Sequence, residues 1–117
     1  MDPFPKAYEL ISFFEGEPSV LDPGIPWAYN ALRFETVVGE DRIACDLEPG
    51  MCAFMIRWNR GGVEVLNLDL HGISGLVIDT WKGGETFVAS FQNPQLDDLR
   101  LTLRPTPRVV WGMNARL

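Results

Sequence analysis

The sequence of 117 residues holds little of what most enzyme chemistry requires. It has one histidine, His71, and two cysteines, Cys45 and Cys52, and neither cysteine has a histidine close to it in the chain. No serine lies in the strand–turn–helix context of an activated nucleophile, and no glycine-rich loop opens a helix to hold a phosphate. We therefore predict no catalytic residues, no bound cofactor and no enzymatic activity.

Long apolar runs are also missing. No run approaches the roughly 18 residues that a membrane-spanning helix needs. The first residues, Met1–Lys6, lack the basic and then apolar pattern of a secretory signal. We expect a cytoplasmic protein with no membrane contact. Cys45 and Cys52 could face each other across a hairpin, but without export two buried thiols are favoured over a disulfide.

Negative charge dominates one half of the chain. The net charge is −6, and residues 1–58 carry ten acids and four bases, whereas residues 59–117 carry six of each. An acidic surface repels phosphate backbones, so we predict no nucleic-acid partner. It suits a basic protein partner, although acidity also serves solubility alone.

The sequence is rich in short alternating segments separated by turn residues. Period-two alternation places every second side chain on one face, as in a half-buried strand. The connections have hairpin length, which favours antiparallel neighbours. We predict a mainly β fold, with one meander-like antiparallel sheet of about eight strands curling into a sandwich or a partly open barrel. The predicted strands are 31–38, 42–48, 52–59, 63–70, 73–80, 85–91, 98–104 and 108–112.

One domain is expected over residues 1–117, with the strands in 31–112 and a packing segment in 1–30. The apolar run at 7–14 favours a short helix over an opening strand. The proline-rich stretch 17–30 is typical of an ordered loop. On the helix, the side chains predicted to share one side are Tyr8, Ile11 and Phe14, with Leu10 beside them. The predicted anchors of the loop are Trp27 and Tyr29.

The two faces of the predicted strands differ. One is a continuous apolar core face made by Phe54, Ile56, Trp58, Leu66, Leu68, Leu70, Phe87, Ala89, Phe91, Leu99, Leu101 and Leu103. The other mixes apolar and polar residues, as expected of a face covered by another element or subunit. We predict an interaction face there, formed by Met55, Val63, Val65, Asn67 and Val88.

The connection His71-Gly72 leaves the register of 73–80 open. If it is a two-residue turn, Leu70 and Ile73 share a face. If a residue bulges there, Leu76 and Ile78 join the apolar face instead.

A weak repeat pairs two turns. Trp58-Asn59-Arg60-Gly61-Gly62-Val63-Glu64 is echoed by Trp81-Lys82-Gly83-Gly84-Glu85. Hairpin chemistry explains it best, because glycine supplies the positive φ of tight turns. The alternatives are a duplicated hairpin or a ligand surface built on the two equivalent turns. Aromatic side chains could separately line a ligand groove, for which the candidates are Trp27, Tyr29, Trp58 and Trp81.

Asp69 and His71 form an Asp-x-His pair on one strand, which points both side chains to the same face. With Asp79 on the next strand, two carboxylates and an imidazole could hold a divalent metal. No further ligand is signalled, and a histidine before a glycine is more often a turn residue. We therefore predict no metal site and keep the three residues as the alternative.

These observations favour a non-catalytic protein-interaction module. Its more specific form is a small, acidic, cytoplasmic bacterial immunity protein that neutralises a toxin, since such proteins are often small, acidic and free of catalytic residues. No family motif supports a closer assignment. A simpler form of the same hypothesis is self-association through the mixed face, which would give a homodimer. The alternatives are a small-molecule or carbohydrate binder using the tryptophan-bearing turns, and a metal-dependent enzyme centred on Asp69 and His71.

Overall fold

A computed structural model describes residues 1–113 as two antiparallel sheets around a shared core. Sheet A has five strands in chain order and sheet B has four. The strands of sheet A are β1 (Ser19–Val20), β2 (Leu32–Val38), β3 (Asp41–Glu48), β4 (Ala53–Arg60) and β5 (Val63–Leu70). Those of sheet B are β6 (Ile73–Trp81), β7 (Gly84–Phe91), β8 (Leu99–Thr102) and β9 (Arg108–Val110). The predicted mainly β, antiparallel fold is confirmed in its sandwich form.

The prediction of one continuous sheet is wrong at a single place, between β5 and β6. These strands do not pair, and His71-Gly72 carries the chain from sheet A to sheet B. Gly72 has a φ of 70°, which a residue with a side chain rarely adopts. A register shift between Ile73 and Gly75 then bulges β6. Each of the two predicted registers is confirmed in part. Leu70 and Ile73 are both buried, as expected of a two-residue turn, and Leu76 is buried beyond the bulge, as expected of a bulged strand.

The core joins both sheets through aromatic side chains. The rings of Phe54 in sheet A and Phe87 in sheet B lie 4.9 Å apart. Phe14 stacks on Phe34 at 4.5 Å, and Phe13 lies 5.8 Å from Phe87. The predicted core residues belong to this cluster, with Trp58, Leu66, Leu68 and Phe91 only partly buried.

The predicted short helix is present as α1 (Ala7–Phe14). Its first turn is fixed by Glu9, whose carboxylate accepts the backbone N–H of Lys6 at 3.0 Å. Its buried side chains are Leu10, Phe13 and Phe14, whereas Tyr8 is 68% exposed, so the face expected from Tyr8 and Ile11 was wrong. No helix within residues 1–113 is long and apolar enough to cross a membrane.

The predicted ordered loop 17–30 contains β1 and a short 3-10 helix at Trp27–Tyr29. Asn30, 6% exposed, holds it together: its side chain accepts the N–H of Asp22 and donates to the carbonyls of Asp22 and Ile25. Trp27 packs edge-on against Phe34, which fixes the loop on sheet A.

Both cysteines are free thiols, and the prediction that both are buried holds for Cys45 only. Cys45 is fully buried opposite Ile56, and burial raises the pKa of its thiol. Cys52 is half-buried and ends a 3-10 turn (Pro49–Met51) instead of starting a strand. The predicted domain extends to residue 117, and residues 114–117 lie outside the described part.

Candidate functional site

Each sheet buries one face in the shared core and turns the other to solvent. The predicted interaction face is therefore divided between two surfaces. Met55 and Asn67 lie on the outer face of sheet A, in cross-strand pairs with Asp69 and Arg57. Val88 lies on the outer face of sheet B and is only 5% exposed.

A bulge also separates two of the predicted valines. The register of β4 and β5 shifts beside Trp58 and Asn59, so that Val63 pairs with Arg60. Val63 thereby takes the side of the core-facing row, although it lies beyond the core and is 68% exposed. Val65, at the shift itself, is 50% exposed. The sequence-based prediction assumed strict alternation, which places both valines on one face of the strand. The bulge interrupts the alternation between them, so this part of the prediction is wrong.

The outer face of sheet A is predominantly acidic. The cross-strand register places five carboxylates and three guanidiniums on it. The carboxylates are Glu35, Asp46, Glu48, Glu64 and Asp69, and the guanidiniums are Arg33, Arg42 and Arg57. This excess of negative charge is the local form of the acidity seen in the first half of the sequence.

At one end of this face lies a cleft of about 460 Å³, the acidic cleft. Apolar residues form much of its lining: Val20, Leu21, Ala31, Leu32, Leu47, Ala53, Phe54 and Met55. Its charged groups are Arg33, Asp46, Glu48 and Asp69, with His71 beside them. Arg33 is bound to Asp46 by two hydrogen bonds of 2.7 and 3.0 Å, which raise the pKa of the guanidinium. Glu48 and Asp69 are exposed at the cleft and have no arginine or lysine partner within residues 1–113.

The outer face of sheet B has a different chemistry. Asp79, Thr86, Thr102 and Arg108 form one cross-strand row, and Arg100 lies in the next row beside Val88. Together with Trp81 and the turn after Thr102, they enclose a groove of about 640 Å³, the arginine groove. Arg104 in that turn is held by Glu15, Thr36 and the carbonyl of Phe13.

Trp81 is fixed over this face by its own hairpin. Its indole N–H donates to the hydroxyl of Thr86 at 2.9 Å. A Cβ at Gly83 or Gly84 would lie 3.1 or 3.0 Å from the indole ring, so the ring packs directly on the glycine backbone. The absence of a side chain at both glycines therefore leaves room for the indole ring, in addition to allowing the tight turn.

The two similar turns are not structurally equivalent. Gly61 and Gly62 both have positive φ and form the turn between Arg60 and Val63. In the second hairpin Trp81 pairs with Gly84, so the two turn residues are Lys82 and Gly83. The second glycine of this Gly-Gly pair therefore lies in the strand and not in the turn. A duplicated ligand surface, one alternative for the repeat, does not follow.

The four predicted groove aromatics are in different environments. Trp27 packs on Phe34, and Trp58 donates its indole N–H to Asp41 at 2.8 Å. Tyr29 is 77% exposed on the 3-10 helix, and Trp81 lies on sheet B. The structure does not bring them into one groove, and of the four only Trp81 lines the arginine groove.

The candidate metal ligands are also divided. His71 Nε2 lies 3.3 Å from Asp69 Oδ1, and both side chains are exposed. Asp79 is on β6 in the other sheet, within the arginine groove. Within residues 1–113 no three acidic, histidine or cysteine side chains are grouped so as to hold a metal ion. The alternative based on these three residues is not supported by their positions.

Sequence reasoning missed a buried charged cluster at the end of sheet A. Asp41, 7% exposed, accepts hydrogen bonds from Trp58 and Arg60, each at 2.8 Å. These hydrogen bonds, that of Arg60 foremost, lower the pKa of Asp41. The guanidinium also lies 5.8 Å from the centre of the Trp58 ring. The cluster faces the core side, so we assign it to the fold.

No family model matches the chain, and no curated protein sequence matches it either. Among solved structures, the fold is similar to that of a chain in the contact-dependent growth inhibition toxin–immunity protein complex from Klebsiella pneumoniae 342. The TM-score is 0.80, and the match covers 93% of this chain and 94% of the other. Sequence identity is 17%, so the similarity establishes the fold.

Proposed function

We propose that this protein is an immunity protein, which binds a bacterial toxin and neutralises it without catalysis. The observation that carries the proposal is the similarity of fold, over nearly the whole of both chains, to a chain of a toxin–immunity protein complex. The proposal requires a protein partner, and we further propose that this partner is basic.

The side chains favour the immunity role over that of the toxin. A toxic enzyme needs activated groups in contact with its substrate. The one histidine is exposed and paired with Asp69, and the thiol of Cys45 is buried with a raised pKa. A buried thiol with a raised pKa is a poor nucleophile, because the thiolate is the reactive form.

Charge favours the outer face of sheet A as the contact with the toxin. It has five carboxylates against three guanidiniums, and the acidic cleft, with its partly apolar lining, lies at one end. Opposite potentials on two partners speed their encounter and disfavour wrong partners. A basic side chain of the toxin would meet Glu48 and Asp69 at the cleft, with Met55 offering apolar contact.

We place this binding in the cytoplasm, where two free thiols are stable. Self-association, which the sequence also allows, stays a prediction, and it would now use the outer face of one sheet because the predicted face is divided between the two. Measurement of the mass in solution by analytical ultracentrifugation, across a range of concentrations, separates a monomer from a dimer.

The test is whether this chain protects a bacterium against the protein encoded beside its own gene. The protein encoded beside this chain's gene is expressed in a test bacterium with and without this chain, and growth is followed. We expect growth arrest by the neighbour alone, rescue by this chain, and a stable complex of the two purified proteins by calorimetry. A toxic neighbour that this chain neither binds nor relieves would contradict the proposal.

A matched control separates binding from general effects of expression. The double variant Glu48→Lys/Asp69→Lys changes the acidic cleft, whereas Asp79→Lys reverses one charge on the outer face of sheet B. We expect rescue to fail with the first and to persist with the second. Circular dichroism of the purified variants confirms that both are folded.

A further inference from the structure

We propose that the arginine groove on sheet B is a second binding site, and that its ligand is an acidic, extended segment of a protein. This inference is independent of the toxin contact on sheet A. It rests on three features of the groove: a fixed aromatic wall, two guanidiniums that have no ionic partner in the described part of the chain, and partly exposed apolar side chains beside them.

The wall is the indole of Trp81. One side of the ring packs on Gly83 and Gly84, and its N–H is bound to Thr86. The side chain is still 46% exposed, so the ring offers surface to a ligand at little further cost in conformational entropy. Exposed tryptophan held in one orientation is a typical anchor for a bound chain.

The charged groups are Arg100 and Arg108. Both are exposed, they lie on the neighbouring strands β8 and β9, and neither has a carboxylate partner within residues 1–113. Guanidinium groups bind carboxylates through two parallel hydrogen bonds. Among residues 1–113, Asp79 is the one carboxylate that lines the groove, and it faces the guanidiniums of Arg100 and Arg108. The third arginine of the lining, Arg104, is already bound to Glu15.

The apolar contribution comes from Val110, which is 46% exposed inside the groove, and from Val77, 38% exposed on the same face. A ligand that satisfies the whole groove therefore carries carboxylates next to an apolar side chain. Nucleic acid is disfavoured, because a phosphate chain carries denser negative charge than Arg100 and Arg108, with Asp79 beside them, can offset. An acidic peptide segment combines a lower charge density with apolar side chains.

The experiment is an NMR titration of the ¹⁵N-labelled protein at low ionic strength. The probe is an acetylated peptide of glutamates with one central leucine, and the comparison probe has lysines in place of the glutamates. We expect the acidic peptide to shift the indole N–H signal of Trp81 with saturation, and to leave that of Trp27 in place. The lysine peptide should leave the Trp81 signal unchanged.

Variants then locate the site. Arg100→Glu/Arg108→Glu should weaken binding of the acidic peptide by about tenfold or more, because charge-assisted hydrogen bonds are lost. Arg57→Glu, on the outer face of sheet A, is the matched control and should bind as the wild type does. Where the double variant is not folded by circular dichroism, Arg100→Gln/Arg108→Gln replaces it.

Three results would overturn the proposal. One is an absence of saturable shifts at Trp81 with millimolar acidic peptide, and another is equal binding of the lysine peptide. The third is tighter binding of uridine monophosphate at the same indole, which would assign the groove to nucleotides. Protection against a toxin is read out separately, so it neither supports nor weakens this site.

Discussion

The outer faces of the two sheets share one core and yet differ in nearly every property that matters for binding. The outer face of sheet A is an open, acidic surface, and the acidic cleft at one end of it has a partly apolar lining. Two carboxylates of the cleft, Glu48 and Asp69, have no arginine or lysine partner within residues 1–113. The outer face of sheet B is partly covered by the indole of Trp81 and carries more arginine than acid. The difference shows that the net charge of the chain describes neither surface. It is the register of the strands that sorts the charges onto separate faces.

The core common to both faces gives the largest predicted effect. Phe87 contacts the rings of Phe54, Phe13 and Phe14 at 4.9 to 6.2 Å, and so connects sheet B with sheet A and the helix. Phe87→Ala should lower the free energy of unfolding by about 3–5 kcal/mol. Urea denaturation followed by far-ultraviolet circular dichroism and by tryptophan fluorescence should give coincident transitions. Two separate transitions would show that the sheets fold independently.

Charge reversal tests the acidic face directly and ranks second. The double variant Glu48→Lys/Asp69→Lys should weaken binding of a basic toxin by about 10- to 100-fold, since like charges are brought together in the interface. Asp79→Lys on sheet B should change the affinity by less than about twofold, because salt screens the interaction between distant exposed charges. Calorimetry at two salt concentrations measures both. Equal losses from the two variants would remove the distinction between the faces.

Strand-level features were predictable from the sequence for a local reason. Alternation is a property of neighbouring residues, so Phe54, Ile56, Phe87 and Leu101 could be assigned to the core without any knowledge of pairing. The helix at 7–14 followed from the same kind of pattern, although its buried side did not. That side depends on Phe34 and Phe87, which are distant in sequence.

What could not be predicted depended on register and on the division between sheets. The bulge beside Trp58 moves Val63 to the other side of β5, and a single bulged residue leaves no trace in an alternating pattern. The pairing of Arg33 with Asp46 follows from one cross-strand register, whereas the arginine groove requires all four strands of sheet B to be placed side by side. Opposite charges at Arg33 and Asp46 were a signal, but only once the hairpin joining β2 and β3 was aligned.

Loss of the loop contact at Asn30 should have an intermediate effect, confined to the side of sheet A. Its side chain satisfies the backbone of Asp22 and Ile25, and the loop contributes Val20 and Leu21 to the acidic cleft. Asn30→Ala should cost about 1–3 kcal/mol of stability, because buried backbone groups lose their partners. Toxin binding should weaken while the acidic peptide still binds sheet B, as measured by calorimetry and NMR. Equal weakening at both sites would contradict a local role for the loop.

Lowering the pH should produce the smallest change in stability, and the change should arise in sheet A, where Asp41 lies, more than in sheet B. The hydrogen bonds from Arg60 and Trp58 lower the pKa of Asp41 in the folded protein. A carboxylate with a lowered folded pKa stabilises the fold above its unfolded pKa of about 4, and that stability is lost as the pH falls from there through the folded pKa. Asp41→Asn should therefore melt at a lower temperature than the wild type at neutral pH, and the gap should narrow in acid. The indole signal of Trp58 should move with the titration of Asp41, and that of Trp81, bound to the hydroxyl of Thr86, should move less. A gap in melting temperature that stays constant with pH would mean that Asp41 acts through its shape and not through its charge.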